Sequence, residues 1–191
     1  MTETENFDFD YWKVPKYIPD HVCDVLLSNY TDWQTGKIGS GLGVEEETSR
    51  SSDVIWIKEE FWLSTFFKIM SDINGWSGLN FDITGVQDLQ LTRYVAPAGH
   101  YDFHIDGNGY TRPPNNNLVR KLSASVLLTD PKNFEGGEFE FKFGNNSTDF
   151  TVDMDKGDII LFPSYILHRV RPVTKGTRYS LVIWACGKPL R

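Results

Sequence analysis

The chain of 191 residues is poor in sulfur, with two cysteines, Cys23 and Cys186, and three methionines. Two cysteines cannot build a disulfide framework, so a reducing, cytoplasmic compartment is the expectation. Basic charge is also short. Nineteen lysines and arginines face 26 acids, for a net charge of −7 at pH 7. That balance argues against a nucleic-acid partner, which would need a basic surface, although an acidic total can hide a local basic patch. Long apolar runs are missing too. The longest uncharged apolar stretch, 179–187, falls far short of the roughly 20 residues of a membrane span. The first twenty residues carry four acids before the first lysine and no apolar run. Neither a membrane association nor a secretory signal is therefore expected.

What is present is globular: 40% hydrophobic and 14% aromatic residues, enough for one domain over 1–191. Helical periodicity is confined to the first half, which reads as a helical support over about 1–80. Pro19-Asp20 opens one run with Val22, Val25, Leu26 and Tyr30 near the helical period. A second run has acids in its first turn, an apolar stripe through Phe61, Trp62, Phe66, Ile69, Met70 and Ile73, and Asn74-Gly75 as its expected end. Between them, 35–53 is rich in glycine and serine and reads as a mobile loop. From about 81 to 187 the period changes to two. Strands are predicted at 86–94, 101–106, 118–129, 137–143, 149–152, 158–162, 168–173 and 178–185, separated by glycine, proline and asparagine turns. This is a mainly β protein with N-terminal helices, a sandwich or barrel with the jelly roll as the leading closed form.

The chemistry concentrates in YDFHIDGNG. Residues two apart on a strand share a face, so His104 and Asp106 point together while Ile105 packs behind. Asp102 shares that parity and competes as the carboxylate. Of the other histidines, His168 begins a later strand, whereas His21 and His100 fall in a helix and a turn where surface roles are expected. Two histidines and a carboxylate leave three open positions on a non-haem iron. A lone His-x-Asp also arises by chance. What strengthens it is the segment after His168, read as two strands joined in a hairpin by Thr-Lys-Gly-Thr. Folding about Lys175 would set Arg178 opposite Arg171 or Pro172, on the order of 10–13 Å from the metal at ~3.4 Å per residue. Arg178, Ser180, Val182 and Trp184 then share one face. An inward arginine needs an anionic partner, and a dicarboxylate chelating the metal at its other end would supply one.

His-x-Asp, a distal His, Arg ten residues on and Ser two beyond resemble the Fe(II)- and 2-oxoglutarate-dependent dioxygenases. The resemblance covers roughly 80–187 and falls in the prolyl hydroxylase-like branch that includes PKHD-type hydroxylases. Its typical phrases are GGE and GDIILFPSYILH. It implies a double-stranded β-helix (jelly roll, cupin-like) with iron on His104, Asp106 and His168, and with Arg178 on the distal carboxylate of 2-oxoglutarate. Beyond the metal ligands it implies no catalytic residue. Ser180 and Tyr94 are the other co-substrate candidates, and O2 completes the reactants, with ascorbate a candidate accessory reductant. Tyr101, Trp184 and Arg50 are the implied substrate contacts. Trp184 stands where AlkB-type nucleic-acid demethylases carry a second arginine. One departure is Leu127, near the place where some prolyl hydroxylases bind the co-substrate with a tyrosine. The implied activity is hydroxylation of a C–H bond, most naturally in a prolyl residue of a peptide or protein. The alternatives are the same chemistry on a free amino acid, small metabolite or nucleobase, and a non-catalytic jelly-roll binding domain. A zinc hydrolase would leave Arg178 unexplained.

Overall fold

The computed structural model describes residues 11–36, 49–107, 118–143 and 149–189. Positions 37–48 of the expected mobile loop, and the predicted turns within 108–117 and 144–148, lie outside the described residues. The first half contains β1 (Trp12–Val14), α1 (Asp20–Asn29), β2 (Gln34–Thr35), β3 (Arg50–Ser51), β4 (Asp53–Ile57) and α2 (Glu60–Trp76). Then follow β5 (Gly85–Val86), β6 (Leu89–Val95), β7 (His100–His104), β8 (Val119–Leu127) and β9 (Phe134–Gly136). The chain closes with β10 (Phe139–Lys142), β11 (Phe150–Val152), β12 (Ile159–Pro163), β13 (Leu167–Val170) and β14 (Val173–Gly187).

Strands pair antiparallel in two sheets. The larger has nine strands, ordered β1-β12-β8-β14-β6-β4-β2 with β5 and β9 attached to β14. The smaller has five, ordered β11-β10-β13-β7-β3. Chain neighbours such as β12 and β13 fall in different sheets, the jelly-roll pattern that the sequence periodicity predicts. No helix among the described residues is long and apolar enough to cross a membrane.

Both faces of the larger sheet are covered, and period-two alternation divides its side chains between them. Leu89 and Leu91 of β6, Leu122, Ala124 and Val126 of β8, Ile159 and Leu161 of β12, and Leu181, Ile183 and Ala185 of β14 pack with Leu26 of α1 and Phe66, Met70 and Ile73 of α2. The opposite face meets the smaller sheet, where Tyr94, Leu127, Ile160 and Phe162 pack with Phe139, Phe141, Val152 and Val170. Polar Gln90, Thr92, Ser123, Ser125, Arg178 and Ser180 are buried as well. The inner core is thus the more polar of the two, and the functional candidates lie there.

Three expectations need correction. The support over 1–80 is not only helical: β1 to β4 belong to the two sheets, and three of them are too short to carry a readable alternation. Helix α2 runs past Asn74-Gly75 to Trp76 and caps at Ser77, whose N–H donates to Ile73 O at 2.8 Å. Asn74 is instead a buried brace, its amide donating to Phe81 O at 3.0 Å and accepting from Phe81 N at 2.9 Å. Finally, β13 and β14 are not a hairpin. The chain changes sheets at Arg171-Pro172, β13 pairing with β7 and β10 and β14 with β6, β8, β9 and β5. The register against β9 slips between Val173 and Lys175, and Gly176 follows in register with Phe134, at φ +72° and so close to Asn133 O that a side chain would collide. A glycine at positive φ serves a close backbone approach as well as a turn, and here it serves the approach.

Candidate active site

His104 closes β7 and His168 sits on β13, and the register makes them cross-strand partners. Their rings lie 4.2 Å apart. Asp106 follows two residues beyond, its carboxylate 3.7 Å from His104 Nε2 and 3.5 Å from His168 Nε2. Ligand atoms from the three side chains all lie within 4.8 Å of one another, so they can hold one metal ion. Each imidazole is oriented by its own strand. His104 Nδ1 bonds to Asp102 O at 2.8 Å and His168 Nδ1 to Ile166 O at 2.9 Å. A carbonyl can only accept, so Nδ1 carries the proton and Nε2 keeps its lone pair for a metal. Tyr101 stacks on His104 at 3.6 Å, and Phe162 packs edge-on to His168 at 4.7 Å.

The electrostatics suit a cation. Burial, then the neighbouring His168, pull His104 down to about 3, which keeps it neutral and ready to ligate. Burial pushes the Asp106 carboxyl up, but its neighbours His168, His104 and Arg120 outweigh it and hold the group below its ordinary range. Asp106 Oδ2 is buried with no hydrogen-bond partner. A buried carboxylate oxygen left bare is costly, and a metal at the junction of the three side chains satisfies it. The residues fit a metal of the two-histidine, one-carboxylate class.

Asp102 does not join them. The register slips between His168↔His104 and Val170↔Tyr101, so an extra residue is accommodated on β7. Parity fails across that bulge: Tyr101 and His104 both line the cavity, while the Asp102 side chain is 61% exposed beside His100. His21 is exposed on α1.

The three ligands open into a cavity of about 200 Å³, shared with Arg50, Tyr94, Tyr101, Ser180 and Trp184. Parity along β14 therefore holds even though the hairpin does not. Arg178 is the exception, because it does not line this cavity. It is buried one step beyond Ser180, across from Tyr94 on β6, and lines a second cavity of about 460 Å³ with Leu127 and Phe139. Its Nη1 has no hydrogen-bond partner, and among the described residues no carboxylate pairs with it. Burial pulls its guanidinium below the usual range, but an arginine stays charged. Gly137, at φ +68°, makes room for it: a Cβ there would stand 3.0 Å from Arg178 Cδ.

Sequence reasoning missed Arg120, Gln90 and Trp56, which also line the metal cavity. The β8–β14 register slips by one residue between Ala185 and Cys186, opposite Lys121. Unbroken alternation from Ser123 and Ser125 would turn Arg120 outward; the slip turns it in. No turn residue marks that bulge in KLSAS, so the sequence holds no signal for it.

The profile of the 2OG-Fe(II) oxygenase superfamily matches residues 89–186. The chain belongs to that superfamily. The family name implies 2-oxoglutarate and O2 as reactants and Fe(II) as the metal, and His104, Asp106 and His168 are the residues able to hold the iron. A PKHD-type hydroxylase of Teredinibacter turnerae is 39% identical over 89 residues, 46% of this chain and 38% of the relative. The chain thus matches less than half the length of that curated relative. Among solved structures, a Pseudomonas putida prolyl-4-hydroxylase superposes with TM-score 0.69 at 18% identity, covering 95% of both chains. A Trichoplax adhaerens prolyl hydroxylase, solved with a hypoxia-inducible-factor peptide fragment, gives TM-score 0.68 at 19% identity over 92% of this chain and 83% of that one. At these identities the superpositions establish the oxygenase's jelly-roll fold.

Proposed function

We propose that this oxygenase hydroxylates a C–H bond of a prolyl residue in a peptide or protein. The observation that carries the reading is the convergence of His104, Asp106 and His168 on the wall of a small cavity that Tyr94, Tyr101, Phe139, Phe162 and Trp184 also line. When bound, Fe(II) with 2-oxoglutarate and O2 supplies the oxidising power. The chain's residues position the reactants. His104 and His168 present Nε2 from rings fixed by backbone carbonyls, and Asp106 contributes the negative charge. Arg178, a buried cation without a counter-charge, receives the distal carboxylate of 2-oxoglutarate, with the Ser180 hydroxyl donating beside it and Tyr94 as a wall. Tyr101 and Trp184 offer flat faces to a pyrrolidine ring, and Arg50, held to Gln90 Oε1 at 2.9 Å, borders the same space.

The similarity to PKHD-type hydroxylases and prolyl hydroxylase folds supports this reading, as does a peptide substrate fragment bound to one such relative. The cavity of about 200 Å³ is below the roughly 300–1,000 Å³ of ligand clefts, and 2-oxoglutarate at the metal takes part of it, so the substrate enters with a single small group. A free amino acid fits that volume too, and is the second reading. Two buried, unpaired thiols, Cys23 and Cys186, support a reducing, cytoplasmic setting. The test is succinate release from Fe(II)-loaded protein across a panel of proline-containing peptides, with mass spectrometry for one added oxygen atom. Succinate released without any oxidised peptide or amino acid would remove the prolyl assignment.

A further inference from the structure

His104 and His168 are oriented by carbonyls on their own strands, whereas Asp106 lies two residues past the end of β7, beyond the paired register. Its side chain is nonetheless only 6% exposed. A carboxylate serves a metal well only when its own surroundings hold it in place. Two serines stand behind it. Ser123 on β8 and Ser164 just after β12 are both fully buried, and their hydroxyls bond to each other at 2.9 Å. A hydroxyl pair in that position costs desolvation that a pair of alanines would not. The cross-strand partners of Ser123 are Phe162 and Trp184, whose side chains offer no acceptor.

Ser164 also ties down the chain beside Asp106 through its backbone. Its N–H donates to Lys121 O at 3.0 Å, and its carbonyl accepts from Gly107 N at 2.8 Å. Gly107 follows Asp106 directly, so this bond fixes the peptide next to the ligand. A Cβ at 107 would stand 3.1 Å from Ser164 Cβ and 3.2 Å from Arg120 O, tighter than ordinary packing. The same turn carries Ile166 O, which orients His168. One short connection, 164–168, thus governs two of the three candidate ligands.

The protons settle the direction of the bonds. The Ser123 hydroxyl neighbours the Asp106 carboxylate and favours its charged form. An ionised carboxylate can only accept, so Ser123 donates to it, and the Ser123 oxygen receives the Ser164 proton. Run this way, both protons point in sequence at the negative charge, and each bond strengthens the other. In the reverse order Asp106 loses its donor. Asp106 Oδ2 has no hydrogen-bond partner and stays open to a metal.

We propose that Ser164 and Ser123 form a two-hydroxyl brace that positions Asp106 for the metal, with Ser164 acting through Ser123. Both are positioning residues: neither is a candidate ligand, and neither lines the metal cavity. The proposal rests on the metal site and is independent of which substrate is hydroxylated.

The test is Co(II) binding to the metal-free chain, read by calorimetry and by the visible ligand-field spectrum of the bound ion, which reports the number and arrangement of its ligands. Ser123→Ala should weaken Co(II) binding about tenfold or more, within the roughly 10–100-fold typical of groups that orient metal ligands, and should alter the spectrum. Ser164→Ala keeps both backbone bonds of residue 164 and should cost a smaller, several-fold loss with the same spectral change. Because Ser164 acts through Ser123, the double variant should bind Co(II) no more weakly than Ser123→Ala alone. Circular dichroism checks that the variants fold. A lowered melting temperature with affinity and spectrum unchanged would make the pair ordinary core packing and overturn the proposal. Losses that add in the double variant would overturn it as well, since Ser164 would then act on its own. If Ser123→Ala does not fold, Ser164→Ala decides: an unchanged Co(II) complex would overturn the brace. Failure of the unsubstituted chain to bind Co(II) would remove the metal site itself, and the brace with it.

Discussion

The two faces of β14 behave as two different proteins. Leu181, Ile183 and Ala185 point to the helices and are fully buried in a dry aliphatic core. Arg178, Ser180 and Trp184 point the other way, equally hidden from solvent, yet two of them carry polar atoms with no partner. Burial alone therefore does not distinguish structural from functional positions. The distinction is whether the buried groups satisfy one another. On the helix side they do, and on the barrel side they leave valences that a ligand must complete.

The comparison breaks hardest at the metal ligands. Asp106→Ala should abolish turnover and weaken Co(II) or Mn(II) binding on the order of a hundredfold or more, beyond the roughly 10–100-fold typical of outer-shell groups. Thermal stability of the metal-free protein should hold or rise, because the variant removes a buried oxygen that has no partner. Unchanged metal affinity would return attention to Asp102. Next in size is Leu181→Ala on the opposite face, expected to lose about 2–5 kcal/mol of unfolding free energy in urea titrations, with metal affinity unaffected in the folded fraction. If Leu181→Ala weakened metal binding as much as stability, the two faces would not be separable. Smaller again is Arg178→Ala, which should raise the apparent KM for 2-oxoglutarate by the equivalent of about 1.5–3 kcal/mol. Gly137→Ala should move that KM the same way, since its Cβ would stand 2.9 Å from Val173 Cγ2 and 3.0 Å from Arg178 Cδ. The smallest effect belongs to Lys68→Ala, which removes an exposed pair with Asp72 at 2.7 Å; the melting temperature should not move measurably.

Much of this was legible because period two is a strong local signal. It placed Ser180, Val182 and Trp184 on one face, and it paired His104 with Asp106. The failures of parity have one physical origin. A bulge flips parity while leaving no compositional trace, so Asp102 read as inward and Arg120 was not flagged at all. The Lys175-Gly176 pair was ambiguous for a related reason, since positive φ serves turns and close backbone approaches alike. Strands of two or three residues, β1, β2 and β3, take their existence from partners far along the chain, which no local pattern records. Asn74 carried a capping signature, but its amide is engaged by Phe81, a contact set by the return of the chain after α2.

The position of β14 bears on how the molecule is made. It is the last strand in the sequence, yet it lies at the centre of the larger sheet, between β6 and β8. During synthesis those two strands wait for each other's common neighbour, with unpaired edges and bare aliphatic faces, until residue 187 has left the ribosome. Neither core can close before then. Nascent chains stalled short of β14 should be sticky, chaperone-bound species rather than partly folded enzymes.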